Sequence, residues 1–419
     1  MRLLEIIGWP FVSRPKTPNA SVQEGKIIGI HHRLGSLSGH RYTEAVGSLE
    51  EYGRRGRKVL LFINKCSSPE ITQSLRAQAV LDDPTFRLEW SFDERTRLFS
   101  EMLHTHITPV VASGDRVYLT VATQLEANAL ARWLRELPMQ KWPWIIVVFL
   151  SDRWNRHGAA EYERQSAEFR KLRETLLQLT REELRRLLFF SVSESLCNEI
   201  GQFLGQKVGC VPIALRYEPA PLEKEEHHIA PSSPRVAVLG GLRTEKGSAR
   251  LPSIVRACAE LMDVRFCIQM VNEGLSDEDY AAVLALSNEP RITAIPSELQ
   301  IDEYAEAMKA SDLALFPYEV TPYRQRTSAV FAEAVAYGKP SVVPAGTWLA
   351  GEIEAGRAAG IICHDLSAEG YAKAISACVT NLLELTLQAQ SLAAEWRKNV
   401  SITRFTDIVE QEIAHRERD

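Results

Sequence analysis

At 419 residues the chain is long for one domain, and two domains of about 200 residues are the natural expectation. Hydrophobic residues make up 45% and charged residues 25%, so each half can bury an ordinary core. The formal net charge of -5 argues against a general nucleic-acid binder, whose domain would be basic.

The opening stretch MRLLEIIGWPFVSRP carries Glu5 within a short apolar run and does not read as a cleaved signal. From residue 26 onward short apolar runs alternate with amphipathic stretches. KIIGIHH (26–32), KVLLFIN (58–64), RVYLTVA (116–122), WIIVVFL (144–150), LLFFSV (187–192) and VGCVPI (208–213) read as strands. They are apolar throughout rather than alternating, as strands covered on both faces of a parallel sheet are. Residues 43–56, 124–137 and the long stretch 160–186 have helical spacing and mixed charge.

The pattern breaks at EPAPLEKEEHHIAPSSP (218–234), which is rich in proline and charge and reads as a linker. Alternation then restarts with strands at 235–241, 264–270, 291–295, 312–318, 340–345 and 360–365. This predicts an α/β protein of two tandem doubly wound, Rossmann-like parallel-sheet domains: 1–217 and 235–395. Residues 396–419 read as a C-terminal helix placed to cross back to the first domain. Ligands of such sheets bind beyond the carboxyl ends of the strands, so the cleft between the domains is the expected site.

Cys66, Cys197, Cys210, Cys258, Cys267, Cys363 and Cys378 are scattered, odd in number and without a CxxC pair. They read as reduced residues of a cytosolic protein. No run approaches the roughly 18 apolar residues of a membrane span. His104-Thr105-His106 and His227-His228 lack further ligands at a useful spacing, and no metal is expected. No GxGxxG, phosphate-loop or GxSxG motif occurs.

Two stretches remain. In VAVLGGLRTEKG (236–247) a strand ends in two glycines, followed by Arg243 and Lys246. Glycines let backbone approach a ligand closely, and two cations on the loop suit a diphosphate; the alternative is a turn with solvated charges. In YRQRTSAVFAEAVAYGKPSVV (323–343), Thr327 or Ser328 is an N-cap, Gly338 a C-cap, and Pro340 leads into the next strand. The helix start, with Arg324 and Arg326 beside it, attracts an anion. Glu333, about one turn in, would be repelled by a phosphate and should face something neutral, such as ribose hydroxyls. Its alternative role is that of a helix-dipole partner.

Taken together, the GGLRxEKG loop, the DLALFPY strand and S-x4-E-A-x3-G-K-P resemble the donor domain of GT-B-fold glycosyltransferases, particularly the family-4 retaining enzymes. The resemblance is good over about 235–350 and looser over 26–215. It implies that Arg243 and Lys246 hold a diphosphate, with Gly241, Thr327 and Ser328 giving backbone contacts. It also implies that Glu333 takes the ribose as the second glutamate of an E-x7-E pattern, and that the Ile295-Pro296 turn borders the base. Gln325 stands where that pattern has its first glutamate. Gly39-His40 falls where the family's glycine loop faces the cleft, which adds His40 to a catalytic set of Arg243, Lys246 and Gln325. The histidine that many relatives carry after the strand WIIVVFL is replaced in that neighbourhood by Ser151 and Asp152.

The function implied is a metal-independent, retaining transfer of a sugar from a nucleotide diphosphate sugar to a hydroxyl acceptor. The alternatives are a sugar-nucleotide-binding protein of reduced activity, or another GT-B enzyme such as an epimerase or phosphorylase. The expected location is cytoplasmic. The basic run Arg54-Arg55-Gly56-Arg57-Lys58 reads either as a solvated helix end or as a dock for a membrane or lipid-linked acceptor.

Overall fold

The computed structural model describes residues 25–34, 39–85, 87–150, 159–215 and 233–418. Among them two wholly parallel sheets form. The first contains β1 (Ile27–His31), β2 (Val59–Asn64), β3 (Gln78–Leu81), β4 (Arg116–Leu119), β5 (Trp144–Phe149), β6 (Leu187–Ser191) and β7 (Val208–Cys210), in the order β3-β2-β1-β4-β5-β6-β7. The second contains β8 (Arg235–Val238), β9 (Arg265–Gln269), β10 (Ile292–Ile295), β11 (Leu313–Leu315), β12 (Ser341–Pro344) and β13 (Gly360–Cys363), in the order β10-β9-β8-β11-β12-β13. Each sheet is doubly wound: the chain builds outward from β1 or β8, then returns to that strand's other side with β4 or β11.

The continuous apolar runs have the physical cause expected of them. β1, β5 and β6 are buried at every position because helices cover both faces. In the second sheet the two-residue period of a strand divides one run between two cores. Val236, Val238, Leu313 and Leu315 face one cluster, while Ala237, Leu239, Ala314 and Phe316 face the other.

Two elements depart from the sequence pattern. β3 is an additional strand of only four residues, joined to β2 across a register shift at Ile63/Asn64, and too short to show a period. The stretch 160–186 is two helices, Ala159–Leu177 and Arg181–Arg185. Thr180 starts the second: its hydroxyl accepts the Glu183 N–H at 3.2 Å, and the Glu183 carboxylate accepts the Thr180 N–H at 2.7 Å.

The division expected at 395/396 falls inside the helix Leu382–Asn399; the chain turns instead at Val400–Ser401. There the Leu215 N–H donates to the Val400 carbonyl at 2.9 Å. The last helix, Ile402–Arg418, then buries Ile402, Phe405, Val409 and Ile413 in the core of the first sheet. The Arg116 fork grips Glu410 at 3.1 and 2.9 Å. The basic run also serves this helix: Arg55 reaches Asp407 at 2.8 Å, and Arg57 lies 3.6 Å from Glu410. Arg54 and Lys58 stay exposed. Among the described residues no helix is long and apolar enough to cross a membrane.

Candidate functional site

The crevice of a doubly wound sheet opens where the connections diverge, at the carboxyl ends of its switch-point strands. In the second sheet these are β8 and β11. Gly240 and Gly241 follow β8, Pro317 and Tyr318 follow β11, and the helix Ala329–Ala336 packs beside them. Gly240 turns with φ +87°; a Cβ there would stand 2.9 Å from Lys246 Nζ and 3.1 Å from Val330 Cγ2. The Lys246 ammonium thus lies over bare backbone against the first turn of that helix, donating to the Gly241 carbonyl at 3.1 Å. Gly247 (φ +65°) has room only for hydrogen, since a Cβ would fall 1.8 Å from the Pro317 carbonyl oxygen. That contact fixes the Lys246 turn beneath the exit of β11.

Ser328, not Thr327, caps the helix: its hydroxyl accepts the Phe331 N–H at 3.2 Å and lies 3.3 Å from the Tyr318 hydroxyl. Thr327 is buried beside it. The helix ends in a Schellman motif, with the Lys339 N–H on the Ala334 carbonyl and the Gly338 N–H on the Val335 carbonyl, both at 2.9 Å. Trp396 Nε1 braces it from outside through the Ala332 carbonyl at 2.8 Å. The Gln325 carbonyl accepts from Ser193 of the first domain at 2.7 Å, and its side-chain amide oxygen is buried without a partner among the described residues.

Charge is concentrated here. Lys246 is of intermediate exposure, but protein atoms crowd it. Burial first, and then the Arg243 charge, lower its pKa to about 8, against the opposing pull of Glu273, Glu245 and Glu333. The Glu333 charge also helps to raise the pKa of the buried Tyr304 phenol, after burial itself. The Glu333 carboxylate is the neighbour of Tyr304 Oη. Arg326 stacks over the Tyr323 ring at 5.0 Å and lies 3.6 Å from Glu245. Arg243 is engaged by Glu273, with Nε 2.7 Å from Oε2. Gln269, at the end of β9, accepts the Gly240 N–H at 2.8 Å and donates to the Ser297 carbonyl at 3.3 Å. It thereby ties the glycine loop to the turn that carries the exposed Pro296.

The first sheet presents its own switch point, between β1 and β4. A small pocket there is lined by Ile30, His31, His32, Arg33, Leu34, Leu119 and Val121. His32 lies 3.0 Å from Glu126, and Arg33 contacts the same carboxylate. Burial would raise the Glu126 pKa, but Arg33 and His32 overcome that and hold it well below the carboxylate range. Burial and the neighbouring His32 lower His31 to about 3, so it stays neutral. Gly39 and His40 begin the helix Gly39–Arg54, which follows this edge. Their side chains, and Ser151 and Asp152, lie outside the described residues.

The structure therefore brings Gly241, Arg243, Lys246, Ser328 and Glu333 to one crevice, with Gln325 at the domain junction. Glu273, Gln269, Tyr304 and Tyr318 belong to the same place and were not singled out from sequence. Only the turn-forming Asn272-Glu273-Gly274 after an apolar run could have pointed to one of them. Among the described residues, no group of three or more His, Cys, Asp or Glu is arranged to hold a metal ion. Two cations beside a helix start suit an anion, and a carboxylate a turn further on suits hydroxyl donors.

No protein-family model matches the sequence, and no curated protein matches it. Among solved structures the chain is similar to HepE of Anabaena in complex with UDP: 14% identity, 93% of this chain and 100% of that one, TM-score 0.64. It is similar to a glycosyltransferase from Rickettsia africae at 11% identity, covering 95% and 100%, TM-score 0.64. It is also similar to an E. coli trehalose-6-phosphate structure bound with UDP-2-fluoro glucose at 12% identity, covering 93% and 99%, TM-score 0.61. At these identities the likeness shows the fold.

Proposed function

We propose that this protein, whose two Rossmann-like parallel sheets have the GT-B fold, is a retaining glycosyltransferase that moves a sugar from a nucleoside diphosphate sugar to a hydroxyl acceptor. One observation carries this reading: Lys246, the glycine backbone at 240–241, the helix start at Ser328 and the Glu333 carboxylate converge at the switch point of the second sheet. The HepE structures with UDP and UDP-glucose, and the E. coli structure with UDP-2-fluoro glucose, support a uridine diphosphate sugar as the first donor to try.

In this reading the diphosphate lies against Lys246, Arg243 and the helix N–H groups, and Glu333 takes the ribose hydroxyls. The bond from the anomeric carbon to the diphosphate oxygen breaks, and the negative charge that develops is stabilised by these cations and the helix dipole, without a metal. The acceptor oxygen bonds to the anomeric carbon on the face the diphosphate leaves, and its proton passes to a phosphate oxygen. Gln325 reads a sugar hydroxyl, and the acceptor enters from the first domain past His40 and the β1–β4 edge. A lipid-linked acceptor at the inner face of a membrane is part of this reading, through the exposed Arg54 and Lys58.

The uncharged Gln325 amide favours one other reading, a sugar-nucleotide-binding protein of reduced turnover. Calorimetric titration with UDP, followed by a UDP-release assay with UDP-glucose and acceptor extracts, tests both. Absence of binding to UDP, and then to ADP, GDP and dTDP, ends the nucleotide-sugar reading; binding without acceptor-dependent release favours the second.

A further inference from the structure

One carboxylate lies where the nucleotide reading places an anion. Glu273 follows β9, thirty residues from Arg243, yet Arg243 Nε and Nη2 both converge on its Oε2, with Nε at 2.7 Å. The same carboxylate lies flat over Gly241: a Cβ on that glycine would fall 2.1 Å from Glu273 Cδ and 2.4 Å from Oε1. Lys246 completes the surround, with Nζ 3.1 Å from the Gly241 carbonyl. Glu273 thus covers the bare backbone and engages the guanidinium that a terminal phosphate would need.

Resting on the nucleotide-binding reading above, we propose that Glu273 and the donor's terminal phosphate exclude each other. A diphosphate reaches Arg243 only by displacing Glu273, which makes Glu273 the residue that sets the anionic charge a ligand needs to enter.

The local structure permits the exchange. The turn is pinned through its backbone rather than through the Glu273 side chain: the Asn272 side chain accepts the Gly274 and Leu275 N–H groups at 3.0 and 2.8 Å, and the Glu273 N–H donates to the Leu242 carbonyl at 2.9 Å. Gly274 borders open space. The Glu273 side chain is 32% exposed, so it can swing into solvent without disturbing the turn. An ion pair this exposed holds weakly, whereas a diphosphate brings more charge to Arg243 and Lys246 together.

A double-mutant cycle on UDP affinity tests the proposal, using the full chain at one ionic strength with Arg243→Ala, Glu273→Gln and both together. Displacement expects Glu273→Gln to tighten UDP by about tenfold. It also expects Arg243→Ala to cost roughly threefold in the wild-type background and roughly thirtyfold in the Glu273→Gln background, because the guanidinium there no longer gives up a partner. UMP, which lacks the terminal phosphate, should gain less than UDP from Glu273→Gln. If Glu273 instead orients Arg243, the cost of Arg243→Ala shrinks in the Glu273→Gln background; if it acts only as a distant charge, the two effects add. Either result overturns the proposal, as does an equal gain for UMP. Thermal melting checks each variant, and Glu273→Ala replaces Glu273→Gln should the latter fail to fold. If no form binds UDP, ADP, GDP or dTDP, the nucleotide reading falls together with this one; if all forms bind one of them and the coupling is absent or reversed, only the Glu273 assignment falls.

Discussion

Ser193 joins the two domains at the residue where the candidate site departs from the family it resembles: its hydroxyl donates to the Gln325 carbonyl at 2.7 Å. The same oxygen caps the helix Glu194–Leu204 by accepting the Leu196 N–H at 3.3 Å. Ser193→Ala removes both contacts, while Ser193→Gly keeps a tolerable cap. Losing the cap costs about 1 kcal/mol with Ala and a few tenths with Gly. Melting should therefore fall by roughly 1–3 °C more for Ala than for Gly. If the bond positions Gln325, turnover falls equally in both; unchanged turnover in both would leave the contact a purely structural one.

Lys246→Ala should remove most activity and leave the fold intact. Losing one preorganised donor to a developing anion typically costs about 2.7–4 kcal/mol, or roughly a hundred- to thousand-fold. Steady-state kinetics beside a melting curve decides it, and wild-type turnover in Lys246→Ala would remove the diphosphate assignment.

Donor binding should weaken as pH rises through about 8, the pKa to which burial lowers Lys246. Above that value the ammonium loses the proton that attracts the diphosphate. Stability runs the other way. The folded-state pKa lies below the ordinary 10.5, so between about 8 and 10.5 the unfolded chain holds more protons and folding gains as pH rises. Calorimetric titration of UDP from about pH 6.5 to 9.5 checks the first expectation. Lys246→Arg, always charged, should flatten that profile if Lys246 is its source.

Glu333→Gln should weaken nucleotide binding more than it lowers melting. A charge-assisted bond to ribose hydroxyls contributes on the order of 1.5–3 kcal/mol, against about 0.3–1 kcal/mol for a helix-dipole partner. A drop in melting temperature with unchanged UDP affinity would make Glu333 a structural residue beside Tyr304.

Gln325→Glu should lower kcat/KM with the native donor by about tenfold, near 1.4 kcal/mol of transition-state stabilisation. The amide offers two donors that a carboxylate lacks. A new charge at a buried oxygen without a partner among the described residues also costs desolvation. A clear gain for the glutamate form would instead identify the protein as a transferase that has lost turnover.

The sequence by itself determined what short-range physics determines. Apolar runs such as WIIVVF and LLFFS required strands covered on both faces, and hence parallel sheets wound by helices. Ser328 and Gly338 marked the ends of the site helix because capping involves only neighbouring residues. The two glycines before Lys246 marked the place where backbone is left bare. Tertiary structure alone decided what those groups meet. Glu273 lies 30 residues from Arg243, and Ser193 lies 132 from Gln325, so neither contact leaves a periodicity or a cap to read. The same holds for the last helix, whose Glu410 meets Arg116 across 294 residues. Such pairs form because the winding order brings the carboxyl ends of β8, β9 and β11 to one edge and returns the chain to the first sheet; a sequence records the charges but not which of them that topology will bring together.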